Sequence, residues 1–298
     1  MINKDTIKKL LVTGASGFLG WNICQEAKQN WEVYGTAFSN PKKVQGAKII
    51  KADLTDLKGT EKIFNDIRPD AVIHAAAATS PNFCQDHPDE SGKINIDAAV
   101  NLAGLCADKK ILFVFTSTDL VFDGLNAPYK EEDTVYPVNI YGEQKVMAEE
   151  GILKKYPSAA VCRLPLMFGE PATVASGFFQ TMIKALKEGD ELTLFVDEFR
   201  TPVSGQTAAR GLLLAVEKAA GLIHLGGKER ISRFNFGLLM MDVLNVSEAR
   251  IVRCSQKDLK MSAPRAPDLS LDSSRAFSLG YDPLPLREQL LECLKEHL

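Results

Sequence analysis

In the first half of the chain, short β-branched apolar runs alternate with longer stretches in which apolar residues recur at helical spacing. "KKLLVTG" predicts a strand and "FLGWNICQEAKQN" a helix. "WEVYGTAF" predicts a second strand and "AKIIKADL" a short third. "LKGTEKIFNDIRPD" predicts a helix that ends before Pro69, and "AVIHAAA" a fourth strand. "HPDESGKINIDAAVNLAGLCADKK" predicts a long helix, with Pro88 suited to its first turn. "ILFVFTST" and "VCRLPLMFG" predict the fifth and sixth strands. Such alternation requires crossover connections. The expected fold is therefore α/β, a Rossmann-type doubly wound parallel sheet covered on both faces.

The second half is less regular. "GFFQTMIKALKEGD" and "GQTAARGLLLAVEKAAG" predict helices, "GLIHLGG" a strand, and "LREQLLECLKEHL" a closing helix. No flexible linker separates the halves. The expected division is a first domain over residues 1–167, which the glycine turn in "TGASGFLG" would make dinucleotide-binding, and a smaller α/β region over 168–298, left for the substrate, with elements packing back on the first domain.

The chain has 298 residues, 45% apolar and 24% charged, which is enough to bury a core without disulfides. A net charge of −3 gives no reason to expect nucleic acid or an anionic membrane as partner. No apolar run is long enough for a spanning helix, and the start "MINKDTIKKLLVTG" has no signal-peptide pattern. Cys24, Cys84, Cys106, Cys162, Cys254 and Cys293 are scattered without a CxxC pair, as for reduced thiols in a cytoplasmic protein. His74, His87, His224 and His297 have no metal-ligand spacing, so no metal site is expected.

"TGASGFLG" joins the first strand to the first helix, with Gly14, Gly17 and Gly20 three apart. Lack of Cβ permits the sharp turn, the approach of a pyrophosphate, and close helix–sheet packing. The helix N-terminus offers N–H groups to phosphates. Gly14, Ser16, Gly17, Phe18, Leu19 and Gly20 are therefore candidate dinucleotide contacts. An acidic residue at the end of the second strand would favour NAD. None lies between Gly35 and Lys43, whereas Ser39, Lys42 and Lys43 are placed to meet a 2′-phosphate unless they are only a solvated loop. The expected cofactor is NADP, with NAD the alternative. Asp53, in "ADL" with Leu54, is positioned either for the adenine or for a turn. Ala75, Ala76 and Ala77 either let backbone pass close to the cofactor or simply pack.

Tyr141 and Lys145 are four apart, hence on one helix face, and Pro137 suits that helix's first turn. A nearby ammonium should lower the tyrosine pKa and make it a usable general acid or base. A hydroxyl at the end of the fifth strand, in "TST", would hold a substrate oxygen.

With these residues in order, the chain resembles the extended short-chain dehydrogenase/reductase family. It is most similar to the dTDP-4-dehydrorhamnose reductase branch, through "STDLVFDG", "PVNIYGEQKVMAEE", "RLPLMFG", "GLIHLGG" and "APRAPDLSLDSSRAFSLGY". The resemblance implies NAD(P)H-dependent reduction of the 4-keto group of a nucleotide-linked 6-deoxy sugar. Thr118 matches the catalytic Ser/Thr, Tyr141 the proton donor, and Lys145 the partner that also binds the nicotinamide ribose. Asp119 matches an additional acidic residue. Asn95 matches a site-organising helix asparagine, or else makes an internal helix hydrogen bond. Related 4,6-dehydratases carry a glutamate where this chain has Leu120, which disfavours elimination. Epimerases share the Thr/Tyr/Lys set, and the branch includes regulatory subunits of methionine adenosyltransferase, so both remain alternatives. The implied partner is a small-molecule nucleotide sugar, with a homodimer the one assembly considered. Its diphosphate needs cations, for which Arg200 and Arg265 are the first candidates, with surface salt bridges as their alternative role. Arg233 and Lys228 are the next.

Overall fold

The computed structural model describes residues 7–39, 43–169, 177–246, 250–259 and 261–295. From the start run β1 (Lys9–Thr13), α1 (Phe18–Ala27), β2 (Glu32–Ala37), β3 (Ala47–Lys51), α2 (Leu57–Ile67) and β4 (Ala71–His74). Arg68, in the left-handed region at φ 53°, ends α2 just before Pro69. A short α3 (Pro81–Asp86) then precedes α4 (Pro88–Gly92), which continues through a π-helical turn, Lys93–Asp97, into α5 (Ala98–Lys109). The predicted long helix is thus one helical run with a wide turn in its middle. β5 (Leu112–Thr118), α6 (Ile140–Lys155) and β6 (Ala160–Leu164) complete the first half.

The second half holds β7 (Met167–Phe168), α7 (Phe178–Glu188), β8 (Glu191–Phe195), β9 (Phe199–Arg200), β10 (Val203–Ser204) and α8 (Gly205–Lys218). β11 (Gly221–His224), β12 (Ile231–Ser232), α9 (Arg233–Leu244), β13 (Arg250–Cys254), α10 (Ser274–Ser278) and α11 (Leu286–Leu294) follow.

The main sheet is parallel throughout, in the order β3-β2-β1-β4-β5-β6-β11. Its strands alternate strictly. Leu10, Val12, Ile73, Val114 and Cys162 face the core under α1 and α8, while Leu11, Val72, Phe113, Phe115 and Val161 face the other, under α2, α5 and α6. Each such side chain contributes about 1.5–3 kcal/mol when fully buried. β11 and α8, which come after residue 168, return to the sheet: β11 pairs with β6, and Ala208, Ala209 and Leu212 of α8 join the first core. The rest of the second half builds its own core from Phe168, Phe179, Met182, Phe236, Met240 and Leu290. β8 and β13, for which the sequence pattern predicted nothing, form a parallel pair there.

Candidate active site

The strand order reverses between β3-β2-β1 and β4-β5-β6. In such sheets ligands bind beyond the carboxyl ends of the strands at this reversal. A cleft of about 740 Å³ lies there. Gly14, Ser16, Gly17, Phe18, Leu19, Gly20, Ser39, Asp53, Leu54, Ala75, Ala76, Ala77, Tyr141 and Lys145 all line it. Lys42 lies outside the described residues.

The glycine turn needs its glycines for steric reasons visible in the backbone. Gly14 has φ +67°, and a Cβ on it would stand 2.8 Å from Ala76 Cα. A Cβ on Gly20 would stand 2.2 Å from Gly14 O. The turn, the exit of β4 and the first turn of α1 are therefore pressed together, with the first-turn N–H groups of α1 left for an acceptor from outside the helix. Thr13 holds the alanines in place. Its hydroxyl oxygen accepts from Ala75 N at 3.1 Å and Ala76 N at 3.2 Å, and contacts His74 Nδ1 at 2.7 Å. Burial lowers the His74 pKa to about 3, so the ring is neutral. Asp53 Oδ1 accepts from Thr55 N and Oγ1, so Asp53 forms the turn while also lining the cleft.

Tyr141 and Lys145 are buried on α6 with their side chains at the cleft. Pro137 is not in the first turn of α6. The helix begins at Ile140, capped by the Asn139 side chain, whose Oδ1 accepts from Gly142 N at 3.0 Å. The amide of Asn139 also donates to Pro264 O at 3.1 Å, tying the helix start to the carboxy-terminal half.

The tyrosine is not acidified. Burial pushes the Tyr141 pKa up, helped by nearby Cys84 and Asp119. Burial also lowers Lys145, to about 7, with Glu149 opposing. The expected depression by Lys145 is thus reversed, because desolvation outweighs the ammonium, which is itself only partly charged near neutrality. Tyr141 stands as a protonated phenol.

Asn95 lies in the π-helical turn. Its Oδ1 accepts from Ala78 N at 2.8 Å, and its amide donates to Ala78 O at 3.1 Å and Gln144 Oε1 at 2.9 Å. These are cross-links between the alanine segment and α6, not bonds within its own helix. Thr118 closes β5. Its hydroxyl donates to Asp119 Oδ1 at 3.2 Å and accepts from Leu120 N at 3.3 Å. Asp119 is raised to about 6, chiefly by burial, with Arg200 opposing. Leu120 packs with the apolar cluster around Val121 and Phe122.

Arg200, Arg233 and Arg265 converge on Glu198, at 3.7, 3.8 and 3.2 Å. Arg200 is buried, so neither of its ion pairs is a surface salt bridge. Arg233 lies over the Phe178 ring at 4.1 Å, and its Nη1 is buried without a hydrogen-bond partner. Lys228 instead pairs with exposed Asp282. Nothing in "ISRFNF" signals that Arg233 converges with Arg200 and Arg265. Thr116 and Ser117 of "TST" stand on the cleft wall, as do Thr36 and Phe38, which sequence reasoning did not mark. Phe38, exposed at the end of β2, was the one with a signal: an aromatic in a polar loop.

The family model described as the RmlD substrate binding domain matches residues 8–298. Methionine adenosyltransferase 2 subunit beta of Danio rerio is 28% identical over 92% of this chain and 85% of its own length. A structure of a hypothetical dTDP-4-dehydrorhamnose reductase from Sulfolobus tokodaii is 33% identical, covers 91% of this chain and 94% of its own, and superposes with a TM-score of 0.80. The dTDP-4-dehydrorhamnose reductase of Bacillus anthracis, solved in complex with NADP, shares the fold at a TM-score of 0.86 and 22% identity, covering 98% of this chain and 100% of its own.

Proposed function

The chain belongs to the RmlD substrate-binding-domain family, and on that premise we propose that it reduces the 4-keto group of a nucleotide-linked 6-deoxy sugar, with NADPH as preferred reductant. The observation that carries this reading is a protonated, buried Tyr141 on the cleft that the glycine turn also lines, with Lys145 one turn behind it and Thr118 at the neighbouring strand end.

Reduction of a ketone needs a hydride on carbon and a proton on oxygen. Bound NADPH supplies the hydride. Tyr141 is in its acid form, as a proton donor to the forming alkoxide must be. The Thr118 hydroxyl turns from Asp119 to the substrate oxygen and aligns it. Lys145, as ammonium, stabilises the phenolate left after transfer and holds the cofactor ribose. Arg200, Arg233 and Arg265 outnumber Glu198, so the cluster carries positive charge for the substrate's diphosphate. Ser39 on the cleft wall and the absence of a carboxylate from residues 36–43 support NADPH over NADH. Leu120 leaves no base for elimination. The buried thiols of Cys24, Cys84, Cys106, Cys162 and Cys254 suit a cytoplasmic enzyme, and among the described residues no helix is long and apolar enough to cross a membrane.

Product analysis tests the proposal. Incubation with NADPH and dTDP-4-keto-6-deoxy-L-mannose should yield the reduced 6-deoxyhexose by NMR. Recovery of unchanged ketone would refute it. A second reading, a regulatory subunit of methionine adenosyltransferase, is supported by the Danio rerio relative. Co-elution with a methionine adenosyltransferase, together with no ketone reduction, would favour it.

A further inference from the structure

Glu149 and Arg163 form a buried ion pair that the chemistry above does not use. Glu149 stands one turn after Lys145 and two after Tyr141, so the three share the α6 face packed on β5. Lys145 Nζ lies 4.1 Å from the centre of the Phe115 ring. Glu149 reaches Ser117, two residues further along the strand and itself on the cleft wall, and accepts a hydrogen bond from its hydroxyl. Arg163, in register with Ser117 on β6, donates to Glu149 from Nε at 3.1 Å and from Nη2 at 2.7 Å. Arg163 Nη1 lies 3.4 Å from His224 Nε2, and His224 Nδ1 3.1 Å from Tyr129 O. Glu149 is 3% exposed and Arg163 2%.

Desolvating two ions is costly, and a well-packed apolar pair is often at least as stable. Fold stability alone therefore does not explain the pair. The groups around Lys145 do. From α6 come Tyr141 and Glu149, from β4 His74, from α3 Cys84, and from β5 the Phe115 ring. Burial keeps the His74 ring, the Cys84 thiol and the Tyr141 phenol neutral. Among these groups Glu149 is the largest influence opposing the loss of the Lys145 proton.

We propose that Glu149 is a positioning residue of this site: clamped by Arg163, it holds Lys145 as an ammonium and fixes the Ser117 hydroxyl on the cleft wall beside Thr118. The inference rests on the cofactor reading given above. It predicts that without the carboxylate Lys145 gives up its proton at lower pH.

The test is Glu149→Gln, which keeps side-chain size. The dissociation constant of NADPH would be measured against pH by nicotinamide fluorescence, alongside kcat/KM on the keto sugar. The pH at which binding weakens, and the alkaline limb of kcat/KM, should both move down by about one unit. The double variant Glu149→Gln/Arg163→Gln leaves no orphan buried charge, covers the case in which the single variant does not fold, and should shift in the same direction. A folded variant with an unmoved midpoint, or one weakened equally at every pH, overturns the role of Glu149 and leaves the cofactor reading intact. Failure of the unmodified protein to bind NADPH at any pH would overturn both.

Discussion

Arg200 Nε lies 3.3 Å from Asp119 Oδ2, linking the end of β5 to the arginine cluster of the second half. The contact lacks hydrogen-bond alignment, and Oδ2 has no hydrogen-bond partner. Arg200 therefore offsets only part of the desolvation of Asp119, whose pKa stays raised from 3.8 to about 6. An acid with a raised folded-state pKa holds its proton more tightly when folded. The associated stability is present below the unfolded pKa, near 4, and is lost as pH rises through about 6. Asp119→Asn removes that loss. Its melting temperature, compared with the unmodified protein by calorimetry, should gain between pH 4 and pH 7. A difference that does not change with pH would contradict the buried, proton-binding state of Asp119.

Gly14→Ala should be severe. It places a side chain at φ +67° against the Ala76 backbone, so the turn must distort, at a cost of about 1–3 kcal/mol. A lower melting temperature with loss of measurable NADPH binding is expected. Unchanged cofactor affinity would show that the turn does not carry the pyrophosphate.

Ser39→Asp tests cofactor choice. A carboxylate at the end of β2 repels a 2′-phosphate and accepts a ribose 2′-hydroxyl. Two charged-group contacts at about 1.5–3 kcal/mol imply a fall in the NADPH/NADH affinity ratio of at least about tenfold. Dissociation constants for the two cofactors check it.

Arg265 is half-exposed, so Arg265→Gln should leave the fold intact. Loss of one charge-assisted contact to the diphosphate predicts a KM for the keto sugar about tenfold higher, with kcat nearly unchanged. A fall in kcat with unchanged KM would place Arg265 outside the binding cluster.

The central sheet was legible because its strands are buried on both faces, so β1, β4, β5 and β6 read as continuous apolar runs bounded by turns. β8 and β13 were not, since each is half-exposed and pairs with the other far along the chain. The glycine turn and the Tyr141–Lys145 spacing are local patterns, and local patterns survive in a sequence. The direction of the tyrosine shift was misread because it depends on burial, which spacing does not encode. Asn95 lay in a helix whose wide turn has no sequence mark, and its partners Ala78 and Gln144 sit on other segments. Convergence of Arg200, Arg233 and Arg265 on Glu198 is likewise tertiary.

The most direct measurement is the initial rate of reduced-nicotinamide oxidation, by absorbance, for the unmodified protein and Tyr141→Phe with NADPH and dTDP-4-keto-6-deoxy-L-mannose. A general acid contributes about 10²–10⁴-fold. The rate should depend on the ketone and fall at least about 100-fold in Tyr141→Phe, while the NADPH dissociation constant changes little. Equal rates in the two proteins would contradict Tyr141 as the proton donor.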